Sequence, residues 1–149
     1  ATGDAAGARR VLADALDTAH PGALFGFVWF DRACLRAGAL DLARRAIRVG
    51  TGRVSALDLA VAEAMVAEAS GAFEDARAGY ERVAAELTRL GDVPEHAYAT
   101  TGLGRCLLAL GEVDRGAALL RDARETWERL GAAPRIAEVN ALLATSAPS

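Results

Sequence analysis

The sequence predicts an all-α fold, a superhelical stack of about eight antiparallel helices. Three observations lead there. Ala, Leu, Arg and Glu, all strong helix formers, fill long stretches in which apolar residues recur at spacings of three and four, and β-branched runs are absent. Gly and Pro stand between those stretches rather than inside them, with very short connections that force consecutive helices to lie side by side. One spacing pattern recurs along the chain: a Gly, a small residue five later, an apolar residue four after that, and usually another small or apolar residue three further on.

The expected helices fall near residues 4–18, 22–37, 39–49, 54–70, 72–90, 95–110, 112–130 and 134–145. The pattern reads Gly3, Ala8, Leu12, Ala15; then Gly38, Ala43, Ile47, Gly50; then Gly71, Ala76, Tyr80, Val83; then Gly111, Gly116, Leu120, Ala123. Each Gly is expected to end a helix in the left-handed conformation that other residues resist. The small residue belongs where two antiparallel helices come closest, and the apolar residue one turn on fills the groove beside it. A helix hairpin of this kind cannot bury both faces alone, so copies must stack.

A second echo supports the same reading. "RLGDVPEHA" at 89–97 returns as "RLGAAPRIA" at 129–137, forty residues later. Leu90 and Leu130 should end two helices, Gly91 and Gly131 should cap them, and Pro94 and Pro134 should start the next ones. The echo is then a joint between stacked units and marks no active site.

These residues resemble tetratricopeptide repeats, pairs of antiparallel helices A and B. The best match is 97–130, where Leu103 and Gly104 fit the Leu-Gly pair of helix A, Leu107 the large apolar position, Gly111 the turn, Leu120 the aromatic or Leu position, and Ala123 the last Ala. Gly116 replaces the usual Ala. Residues 57–90 match through Ala76 and Tyr80, with Glu63 where Leu is usual, and 24–56 match through Phe27, Phe30, Gly38 and Ala43. The implied division is one repeat domain over 1–149, with a half repeat at 1–20, repeats at 21–53, 54–93 and 94–133, and a terminal helix at 134–146. The turn glycines at 3, 38, 71 and 111 are 35, 33 and 40 residues apart. The elongated step is similar to repeats in kinesin light chains and in bacterial signalling ATPases and transcriptional regulators, and "ETWERLGAAPRIAEVNALLA" at 125–144 resembles the carboxy-terminal repeats of those regulators. A helix B without its A at the start, and a helix A without its B at the end, imply a piece of a longer array. Uncapped ends would also favour pairing of two copies.

Composition narrows the chemistry. The chain has 149 residues, 52% hydrophobic and 25% charged, with a net charge of −3, so it reads as globular with no overall pull toward nucleic acid or an anionic membrane. All its basic side chains are Arg, which fits a high-GC bacterial coding bias and removes any Schiff-base or Walker-type lysine. Cys34 and Cys106 lie in apolar helical patterns and are expected as buried thiols. His20 and His96 each sit beside a Pro at a helix start, where packing is the ordinary role. "GTG" at 50–52 and "GLG" at 102–104 lack the rest of a phosphate loop. No signal peptide or membrane-length apolar run is present, which leads to a cytoplasmic expectation. No enzyme, cofactor or metal is expected.

Function is expected on the surface. The resemblance implies that the A helices line a concave groove, and the positions carried over include Phe25, Arg32 and Arg36, then Met65, then Tyr98, Thr101 and Arg105. Such a face suits a protein or peptide partner, since Arg can grip carboxylates in a bidentate manner and aromatic rings supply rigid area. The family's Asn and Lys carboxylate clamp is absent, which argues against chaperone-tail binding. By resemblance the segment is a regulatory or sensor part of a larger bacterial signalling or transcription-regulating protein, without nucleic-acid or membrane contact of its own. A small-molecule effector in the groove is the alternative. In "FGFVWF" at 25–30, Phe27 and Phe30 fit the core, whereas Phe25 and Trp29 are harder to bury.

Overall fold

The computed structural model describes residues 2–18 and 26–147. Among these there are eight helices and no strand: α1 (Thr2–Thr18), α2 (Phe27–Arg36), α3 (Leu40–Gly50), α4 (Ala56–Ala69), α5 (Phe73–Leu90), α6 (Val93–Ala109), α7 (Val113–Arg129) and α8 (Ala133–Ser146). Within each of two groups, α1–α4 and α5–α8, consecutive helices pack against one another in a sequential helical-repeat arrangement. The helices gather into two compact units, Ala1–Gly71 and Ala72–Ser149, and the dividing point falls between the two helices of the expected 54–93 repeat.

The joints follow the glycines. Gly38, Gly71, Gly91, Gly111 and Gly131 all adopt positive φ, as a left-handed helix stop requires. Four of these turns close with the same long-reaching bond, from Ala39 N–H to the Cys34 carbonyl, Asp92 to Leu87, Glu112 to Leu107 and Ala132 to Trp127, at 2.8 to 3.1 Å. The two copies of "RLG" are therefore the same joint. Their helix starts differ: the Asp92 carboxylate accepts from the Glu95 N–H at 3.1 Å, whereas Ala132 leaves α8 without a side-chain cap. Ser55 caps α4 in the same way, accepting from Asp58 N–H at 3.0 Å.

In the first unit α2 packs against α1, α3 and α4, and α3 against α4. Cys34, Ala39, Leu42, Ala43 and Val66 form its core, with Leu12, Ala13, Phe30, Leu35, Leu40 and Ile47 against it. The Phe27 ring seats on Gly50 at the end of α3, where an added β-carbon would stand 2.8 Å from it. In the second unit α6 lies between α5 and α7, and α8 packs on both α7 and α6. Ala97, Leu120, Ala123, Trp127 and Val139 form one core cluster there.

The first copy of the glycine pattern departs from expectation. Gly3 lies inside α1 rather than in a turn. Ala8 and Ala15 are exposed, and α1 turns Leu12, Ala13 and Leu16 inward instead. Its register is fixed by two ion pairs to α3, Arg9 with Asp41 at 2.6 Å and Asp17 with Arg45. The other three copies bury their small residue: Ala43, Ala76 and Gly116.

No described helix is long and apolar enough to cross a membrane. The exposed side of α8 carries the small and polar residues Ala137, Asn140, Ala141, Ala144 and Thr145.

Candidate functional surface

Helices of like phase run parallel within each unit, and charged pairs tie them together. Arg9 to Asp41 and Asp17 to Arg45 join α1 to α3, with residue numbers rising together on both helices. Arg77 to Glu112 at 2.9 Å and Glu81 to Arg115 at 3.0 Å join α5 to α7 in the same sense. On the other side of the second unit, Arg105 of α6 donates to Glu138 of α8 at 2.8 Å. That last pair sits at the centre of the candidate surface.

Glu138 is shared. One carboxylate oxygen accepts from Arg105, and the other from Arg135 at 2.9 Å. The Arg135 guanidinium lies 5.9 Å from the centre of the Tyr98 ring, within cation–π range. Tyr98 in turn meets Trp127 edge-to-face, with ring centres 4.8 Å apart. The result is a half-exposed face of α6 and α8 that brings together two guanidiniums, one carboxylate and a rigid ring. A planar guanidinium presents donors in a fork that matches a carboxylate, so this face suits an acidic group.

The residues named from the sequence are placed as follows. Tyr98 and Arg105 are half-buried and belong to this face. Thr101 does not offer surface: it is 4% exposed, donates to the Ala97 carbonyl at 2.7 Å and accepts from the Trp127 indole N–H at 3.2 Å. It serves the α6–α7 packing. Met65 is also buried, because α4 buries Val61, Ala62, Ala64, Met65 and Val66, which run round the helix. Arg32 and Arg36 lie on α2 of the first unit, Arg32 half-buried with its guanidinium 5.1 Å from the Trp29 ring centre, Arg36 exposed. Phe25 and His20 lie outside the described residues.

Sequence reasoning missed Arg135 and Glu138, although a signal existed. The forty-residue echo that aligns Gly91 with Gly131 also carries Tyr98 onto Glu138. It missed Asp31 altogether, a carboxyl that is fully buried in α2.

No protein-family model matches the sequence, and no curated protein matches it significantly.

The remaining chemistry is sparse. Among the described residues no group of His, Cys, Asp and Glu could hold a metal ion. Cys34 and Cys106 are buried and form no disulfide, and burial pushes the Cys34 thiol up to about 11, so it stays protonated. The "GLG" glycines serve packing. Residues two apart on a helix point about 200° from each other. Gly102 thus opens one flank of α6 to the Tyr80 ring of α5, and Gly104 opens the other to Leu120 of α7. In "GTG", Gly50 seats Phe27 and Gly52 turns the chain at φ 78°.

Proposed function

We propose that the chain is a tetratricopeptide-type interaction scaffold that binds an acidic, extended segment of a partner protein along the α6–α8 face. The observation that carries this reading is the convergence of Arg105 and Arg135 on the one carboxylate of Glu138, beside Tyr98. An incoming carboxylate can take the place of Glu138 on one guanidinium with little reorganisation, since both forks are already held in position. Tyr98, backed by Trp127, gives the partner a rigid apolar contact of the kind that dominates small interfaces. On this reading the segment is a regulatory part of a bacterial signalling or transcription-regulating protein, and it works through binding rather than catalysis.

The test is fluorescence anisotropy of labelled extended peptides, acidic, neutral and basic, against the 149-residue chain at several salt concentrations. Binding of the acidic set alone, weakening steadily with salt, supports the reading. Equal or absent binding of all three sets overturns it. Binding of small di- and tricarboxylates without any peptide would assign the face to an effector instead.

A further inference from the structure

The inward stripe of α2 contains a carboxyl that nothing balances among the described residues. Asp31 is 0% exposed, and neither of its carboxylate oxygens has a hydrogen-bond partner. It stands one turn after Phe27 and Val28 and one turn before Cys34 and Leu35, in the middle of the helix face that carries the core. At one end of that stripe Phe27 seats on Gly50. At the other, Cys34 joins Ala39, Leu42, Ala43 and Val66. An amphipathic helix would ordinarily place Val or Leu at such a position.

Among the described residues no counter-charge reaches it. The charged side chains of α1 and α3 are all exposed, and four of them neutralise one another as Arg9 with Asp41 and Asp17 with Arg45. From α4 come only acids, the half-buried Asp58 and Glu68 and the exposed Glu63. On α2 itself Arg32 is half-buried and Arg36 exposed, and Cys34 stays a neutral thiol. An isolated carboxylate is poorly tolerated in such surroundings, so the group answers burial by keeping its proton.

We propose that Asp31 makes the first unit a pH-responsive module, in which α2 seats firmly against α3 and α4 while the carboxyl is protonated and loosens as it ionises. Loss of the proton would leave an unpaired charge in the middle of the stripe, and local opening of α2 is the nearest way to hydrate it. The same helix carries Arg32 and Arg36, so opening would change how those cations are presented.

Burial pushes the Asp31 carboxyl up from 3.8 to about 7. The sign follows from proton counting. Between those values the opened chain releases a proton that the folded unit retains, so stability falls as pH rises from about 4 toward about 7 and levels off above.

The test uses the full 149-residue chain, with the Asp31 carboxyl-carbon NMR signal identified by its loss in Asp31→Asn. Its titration midpoint is expected near 7. Hydrogen-exchange protection factors of the α2 amides should fall about tenfold or more between about pH 5 and about pH 7, and stay level in Asp31→Asn. Should Asp31→Asn fold poorly, Asp31→Leu fills the site without charge and should also stay level. A midpoint near 4, or an equal fall in wild type and in the folded neutral variant, overturns the proposal.

Discussion

The carbonyl oxygen of Gly104 lies 3.1 Å from where a β-carbon on Gly116 would stand, and the Gly116 carbonyl lies 3.3 Å from one on Gly104. Two helices, α6 and α7, thus meet backbone to backbone at a reciprocal pair of glycines twelve residues apart. An added methyl on Gly104 would also come within 2.6 Å of the Leu120 side chain, and one on Gly116 within 3.1 Å of Leu108. Either Gly104→Ala or Gly116→Ala must push the helices apart, which costs about 1–3 kcal/mol as an overpacked core does. Ala gains back up to about 1 kcal/mol of helix propensity, so the net loss is smallest where the neighbour can yield. Gly104→Ala should therefore destabilise more than Gly116→Ala in urea unfolding, and the double variant should differ from the sum because the two sites touch.

Leu120 fills the groove that this close approach creates. It is fully buried and belongs to the cluster with Ala97, Ala123, Trp127 and Val139. Leu120→Ala removes packing that no neighbour can replace and should cost about 2–5 kcal/mol. Urea unfolding followed by the fluorescence of Trp127, in that same cluster, reports it. A loss under about 1 kcal/mol would mean that the α6–α7 core collapses around the gap.

Arg105 should separate stability from binding. Its pair with Glu138 joins two side chains that are each 32% exposed, so solvent screens much of the attraction. Arg105→Ala should lower unfolding stability by less than about 1 kcal/mol. The same change, or Arg135→Ala, should weaken an acidic peptide about tenfold or more, since a charge-assisted hydrogen bond is lost. The two readouts, taken on one preparation, distinguish a recognition role from a structural one.

Asp41 should respond to acid through Arg9. The side-chain hydrogen bond from Arg9 holds the Asp41 carboxyl down at about 2, from 3.8. A lowered acid contributes stability that is present above about 4 and is lost as pH falls through about 2. The pair is open to solvent, so the effect is expected as a local loss of the α1–α3 link. NMR titration of the Asp41 carboxyl carbon should find its midpoint near 2, rising toward the ordinary value in Arg9→Ala. This is the opposite direction to Asp31, although both acids sit in the same unit.

The helices were legible because their punctuation is local. Each Gly that stops a helix does so through its own φ, and Pro94 and Pro134 mark starts that depend on no distant contact. The burial of Ala43, Ala76 and Gly116 was legible for the same reason, being a fixed distance from a stop. Gly3 failed because nothing in its own residue type distinguishes a turn glycine from one inside the first turn of a helix. The surface was harder to read. Thr101 and Met65 stand at positions that resemble groove positions, yet their burial is decided by Trp127 reaching across from α7 and by the apolar character of α4 around its axis. Glu138 becomes visible only when the forty-residue echo is carried past its matched residues. Asp31 gives no sign in sequence, since an acid beside an Arg in "FDRA" reads as surface.

The reading of the α6–α8 face is tested most directly by amide chemical-shift mapping of the 149-residue chain during titration with an acidic extended peptide. Shifts concentrated at Tyr98, Arg105, Arg135 and Glu138, saturating together and abolished in Arg105→Ala/Arg135→Ala, are the predicted result. Shifts confined to the α5–α7 side, or no saturable shift at all, would contradict the account.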